Sequence, residues 1–131
     1  MKNKIIIAIW ALVAIIGMGG CSKDYPMDEN NLLITNRTDC SINNFNILGS
    51  DRINALVGTA VIDQTKGTIT AVAKFGTNLK NVKPYCSAST DAILAPTMDT
   101  WVDFSQPREY TVISGNRKEQ KKYVITITVQ N

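Results

Sequence analysis

The sequence predicts an all-β domain, an antiparallel β-sandwich of about seven strands, and three observations carry that expectation. Apolar residues recur with a period of two in short runs, the pattern of strands that bury one face. Turn-forming residues separate the runs at short intervals. No window holds an amphipathic helix of useful length. Many short strands bounded by turns suit two packed sheets, each burying its inner face.

The strands follow in order. Residues 41–48 carry Ile42, Phe45, Ile47 and Leu48, and Gly49-Ser50-Asp51 ends the run. Residues 57–63 form a second strand and 68–73 a third, rich in the Thr, Ile and Val that fit a pleated, half-buried surface. Between them Gln64-Thr65-Lys66-Gly67 makes a tight hairpin turn, with Gly67 free to take positive φ. Residues 75–81 read as a loop, from which Leu79 and the following Val82 point inward. Residues 82–88 and 92–94 are the next strands, the second stopped by Pro96. Residues 101–104 form a very short strand and 108–114 a clearer one, with Tyr110 and Val112 on one face. After a polar turn, residues 121–130 show the cleanest alternation in the chain. Tyr123, Ile125, Ile127 and Val129 share one face, opposite Lys122, Thr126 and Thr128.

The N-terminus has a different character. Lys2 and Lys4 precede twelve unbroken apolar residues, 5–16, and the small-residue stretch Gly17-Met18-Gly19-Gly20 leads to Cys21. A positive start, an apolar run and a small-residue cleavage site are the parts of an export signal. The run is too short to span a bilayer, which takes about 20 residues. Residues 1–20 are therefore expected to be a signal peptide, 21–39 a polar flexible tether, and 40–131 the sandwich. In the tether, Leu32-Leu33-Ile34 is the one apolar cluster, able to dock on the domain or to start a strand.

Charge and composition exclude several functions. The whole chain carries 14 basic and 11 acidic residues. Removing Lys2 and Lys4 leaves 12 against 11, a net +1, with no electrostatic reason to bind nucleic acid. Histidine is absent, which removes the commonest general base and metal ligand. Asp63, Asp91, Asp99, Asp103, Glu109 and Glu119 scatter over turns and strand ends, without the paired carboxylates of a glycosidase cleft or the spacing of a calcium loop. Asp103 reads instead as a hydrogen-bonding residue of the turn before Tyr110. No catalytic residue, metal or cofactor is expected.

Two aromatic residues remain as ligand or partner contacts. If Val102 and Phe104 point into the core, alternation turns Trp101 outward; if Pro84 and Cys86 point inward, Tyr85 faces out as well. Either the pair forms a stacking platform for a sugar ring or a protein partner, or both rings cover sheet edges.

Gly19-Gly20-Cys21 at the end of the export segment resembles the lipobox of bacterial lipoproteins. The resemblance implies lipidation of Cys21 and a membrane anchor made of several acyl chains, since one chain alone binds only reversibly. Lys23-Asp24 is similar to the short signal that sends Bacteroidetes lipoproteins to the cell exterior. With Cys21 lipidated, Cys40 and Cys86 form an even pair, either bridged in an oxidising compartment or buried as free thiols.

A second resemblance lies in the domain. Asp103-Phe104-Ser105 with Pro107 and Tyr110-Thr111-Val112, the final run from Tyr123 to Val129, and upstream Gly67-Thr68-Ile69-Thr70 and Phe75-Gly76-Thr77-Asn78-Leu79 look like the immunoglobulin-like repeat of Bacteroidetes surface lipoproteins. It implies an immunoglobulin-like sandwich and a non-catalytic outer-membrane protein, exposed at the cell surface. Its role would be binding or adhesion, glycan-related in some members, or that of a spacer or accessory subunit of an envelope complex. Replacing Cys21 with Ser is expected to release the protein from the membrane fraction; continued sedimentation with membranes would count against lipidation.

Overall fold

A computed structural model describes residues 24–131. The expected signal peptide and Cys21, the expected lipidation site, lie outside the described residues. Seven strands follow one another: β1 (Ile42–Leu48), β2 (Val61–Asp63), β3 (Thr68–Ala73), β4 (Lys83–Ala88), β5 (Ile93–Ala95), β6 (Arg108–Ile113) and β7 (Gln120–Val129). They form two sheets, β1-β4 and β2-β3-β7-β6-β5, and no described residue is helical.

The core lies between the sheets. Ile42, Phe45 and Ile47 descend from β1, while Ile69, Val112, Tyr123 and Ile125 rise from the larger sheet, all essentially fully buried. Phe104 joins the layers: its ring meets Phe45 edge-on at 6.4 Å and 60°, and stacks with Tyr110 at 6.4 Å and 16°. Both spacings fall in the favourable range for aromatic pairs. Phe104 is held there because Asp103 accepts from the Ser105 backbone N–H at 2.8 Å and from its hydroxyl at 2.5 Å. Those bonds hold the Asp103 carboxyl below its ordinary value, so this carboxylate serves its turn.

β7 occupies the middle of the large sheet, and its alternation turns one face into the core. Tyr123, Ile125 and Ile127 are buried and Val129 packs against the same core, whereas Lys122, Val124 and Thr128 face out. The pairing of β7 with β3 is parallel, the one departure from the antiparallel expectation. Its register sets Ile69 beside Ile125, Ala71 beside Ile127 and Ala73 beside Val129, so larger side chains interleave with alanines on the inner face. Alternation fixes which face a strand buries but carries no information on the direction of its neighbour.

Gly67 takes φ +66° at the β2–β3 turn, and a Cβ there would collide with the Lys122 carbonyl oxygen. The expected strand at 57–63 is shorter than its sequence suggests. Leu56 pairs singly with Ala73 at the edge of the large sheet, Gly58 turns at φ +69°, and β2 begins only at Val61. The expected strand at 101–104 is reduced to one bridge between Val102 and Val82.

Residues 26–39 are not a free tether. Met27 bridges to Leu33, and Asp28 accepts at 2.9 Å from the backbone N–H groups of Asn30 and Leu32. Arg117, in the β6–β7 turn, donates Nε to Asp28 Oδ2 at 2.9 Å, with most of both side chains out of solvent. Its other nitrogens donate to the carbonyls of Leu33, Asp91, Ser114 and Gly115. This strap lies at the end of the sandwich where β4 stops and β7 starts.

Among the described residues, Cys40 and Cys86 are free thiols. Cys86 lies opposite Phe45 in the β1–β4 ladder, whereas Cys40 precedes β1 altogether. At about 3.3 Å per residue that offset exceeds the roughly 7 Å Cα limit for a bridge. Parity alone, which put both on the inner side, could not reveal the offset. Burial pushes the Cys86 thiol up to about 11, as for a small core hydrophobe.

Ile125 is fully buried at the centre of the middle strand. Its replacement by Ala is expected to cost roughly 2 to 5 kcal/mol of unfolding free energy in denaturant titration. A loss below about 1 kcal/mol would contradict the packing described.

Candidate functional site

The outer face of the two-stranded sheet is where the sequence-derived aromatic residues meet. In β4, Pro84 is fully buried and Cys86 half-buried, so Tyr85 between them turns outward and is 42% exposed. Phe104 is buried and Val102 half-buried, which turns Trp101 outward at 40% exposure. Val82 and Val102 exchange both backbone hydrogen bonds, 3.1 and 2.8 Å, as an antiparallel pair. That pairing sets Trp101 beside Lys83, one step along the same face from Tyr85.

The register extends the row. Lys83 faces Leu48 of β1, and Leu48 in turn pairs with Asn54. Trp101, Lys83, Leu48 and Asn54 therefore cross the outer face side by side, spanning about 14 Å at the usual strand spacing. The next row contains Tyr85 opposite Asn46, and the one beyond it Ser87 opposite Asn44.

Asparagine amides run along the platform. Asn54 Nδ2 donates to Asn46 Oδ1 at 3.4 Å, and Asn46 Nδ2 donates to Asn44 Oδ1 at 3.2 Å. The chain of amides orients Asn46 next to the Tyr85 ring, and each amide retains capacity for a further hydrogen bond. Lys83 Nζ lies 3.1 Å from Asp99, whose side chain is nearly fully solvated, so this pair supplies charge at the rim and little stability.

Sequence reasoning found Tyr85 and Trp101 but not their polar neighbours. The signal was there in part: Asn44 and Asn46 sit two apart on one strand, and hence on one face. That they stand beside Tyr85 depends on register, including the bulge between Ile42 and Asn44. Cys40 and Cys86 stand apart from this face. Among the described residues no three Asp, Glu or Cys side chains gather as metal ligands would. The face can offer apolar ring surface, amide donors and acceptors, and one ammonium group.

Three solved structures share the fold. A candidate glycoside hydrolase from Bacteroides thetaiotaomicron is 21% identical, with a TM-score of 0.61 over 72% of this chain and 26% of that one. A candidate secreted protein from Bacteroides fragilis is 17% identical, TM-score 0.54, covering 72% of this chain and 98% of its own. A DUF4623 family protein from Bacteroides eggerthii is 18% identical, TM-score 0.56, over 71% and 22%. The chain thus spans about a quarter of two of these proteins and nearly all of the third. No curated protein matches it. The family model described as "SGBP, N-terminal" matches residues 47–127, which include all strands from β2 to β6 and most of β7. This chain belongs to that family of starch- or glycan-binding protein N-terminal domains.

Proposed function

We propose that this protein is a non-catalytic, lipid-anchored module at the bacterial cell surface that holds glycan chains on the outer face of its small sheet. The carrying observation is the alignment of Trp101 and Tyr85 with the Asn44-Asn46-Asn54 amides on one uncovered face, in a chain of the SGBP N-terminal family. Sugar rings have one apolar face and a rim of hydroxyls, and they need a flat aromatic surface flanked by amide donors and acceptors. The immunoglobulin-like architecture and the outer-membrane anchor at Cys21 belong to this reading. The strap between Asp28 and Arg117 supports it, because the chain leaves the sandwich at the end opposite Trp101.

Magnitudes bound the affinity. A stacked ring contributes on the order of 1 kcal/mol, and each hydrogen bond a net of about 1 kcal/mol. After the cost of association, two rings and a few amides reach roughly millimolar binding of a short oligosaccharide. Repeated sites on a polymer raise the apparent affinity further.

A second reading, the spacer or accessory subunit of an envelope complex, is favoured by the two neighbours in which this fold forms about a quarter of a longer chain. A stoichiometric partner co-purifying with a protein that binds no polysaccharide would support it.

The glycan reading has a built-in reporter. The chain has two tryptophans, and the other, Trp10, lies in the expected signal peptide. In the processed protein Trp101 emission is expected to change and saturate with at least one of soluble starch, xyloglucan, arabinoxylan, galactomannan or mucin glycans. Tyr85→Ala should weaken that response about tenfold. Unchanged emission with every one of these polymers would contradict the reading.

A further inference from the structure

At the end of the sandwich away from the strap, the loops after β1 and after β3 enclose a groove of about 280 Å³. Phe75 stands at its edge, 82% exposed, the most exposed large apolar side chain among the described residues. Ile53 flanks it and is also largely in solvent. An aromatic ring so exposed does nothing for the core, yet its loop is well ordered locally. Lys74 N donates to the Ala55 carbonyl at 2.7 Å, Lys74 Nζ to the Asn54 carbonyl at 2.8 Å, and Thr77 N to the Lys74 carbonyl at 3.1 Å. These bonds join the two loops and hold the base of the groove.

The polar lining is only partly committed. Asn78 uses its Oδ1 to accept from Lys80 N at 3.1 Å, which leaves its amide N–H groups free. The hydroxyls of Ser50 and Thr77 have no protein partner among the described residues. Asn54 lines the groove and also donates to Asn46 on the outer face, so groove and platform share a residue. The row from Trp101 through Lys83 and Leu48 thus ends at the groove mouth.

We propose that this groove is a second, terminal subsite that takes one pyranose ring stacked on Phe75, at the end of a glycan chain lying across Trp101 and Tyr85. The inference rests on the glycan-binding reading of the outer face. The lining suits the ligand class: one exposed aromatic ring, uncommitted hydroxyl and amide groups, and one opposite-charge pair of residues, Asp51, which accepts from Ile53 N, and Lys74, which donates to the Asn54 carbonyl. A chain long enough to leave the platform at Asn54 would reach Phe75, whereas a short one would not.

The test uses the processed chain and whichever of the five named polymers it binds, followed by calorimetry over a length series of that polymer's oligosaccharides. For the native protein, affinity is expected to rise about tenfold once the oligosaccharide reaches the groove, the contribution of one stacked ring. Phe75→Ala should abolish that rise and leave binding of the shortest ligands unchanged, while Phe75→Trp should keep it. Trp101→Ala should weaken binding at every length. Phe75→Ala indistinguishable from the native protein at all lengths, with Trp101→Ala still weakened, would overturn the groove and leave the platform standing. A native protein that binds none of the polymers would overturn both. Coincident thermal melts of the native protein and both Phe75 variants would exclude misfolding as the cause of any loss.

Discussion

The structure hangs on the hydroxyl of Tyr123. This side chain is fully buried in the middle strand of the larger sheet, and its hydroxyl reaches the far layer. It donates to Gln64 Oε1 at 2.6 Å and accepts from the Ile42 backbone N–H at 3.3 Å, while Gln64 Nε2 donates to the Ile42 carbonyl at 2.6 Å. Three segments distant in sequence are thereby tied at one point: the start of β1, the β2–β3 turn and the centre of β7. An unmade hydrogen bond at such a depth would cost on the order of 1 to 3 kcal/mol, so the network selects one placement of β1 over the core. That placement decides which β1 residues face outward, and hence where Asn44 and Asn46 stand relative to Tyr85.

Much of this was legible in the sequence because it depends on a period of two. The buried row of β7, the inward Tyr110 and Val112, the Gly67 turn and the outward Tyr85 all follow from alternation or from local turn chemistry. What escaped depends on relations between distant segments. The direction of β3 against β7 leaves no mark on either strand's own pattern. Asp28 and Arg117 lie 89 residues apart, so the strap looks like polar linker until the fold brings the guanidinium to the carboxylate. Cys40 and Cys86 have the right parity for the core and the wrong register for each other.

The candidate site divides in the same way. Its aromatic members announce themselves by residue type and parity. The asparagine row and the Phe75 groove depend on which loops become neighbours, and Asn54 belongs to both only because it pairs with Leu48 at the sheet edge. In the proposed reading the ligand face belongs to the thinner layer, while the five-stranded layer carries most of the core.

The central claim is that glycan contacts the outer face of the β1-β4 sheet. The most direct measurement is heteronuclear NMR of the processed domain titrated with a bound oligosaccharide, following the single indole N–H of Trp101 and the side-chain amides of Asn44, Asn46 and Asn54. The account predicts progressive, saturable shifts at the Trp101 indole and at these amides, with the outward positions of β7 unchanged. Shifts confined to the outer face of the five-stranded sheet, with the Trp101 indole unmoved at saturation, would contradict it.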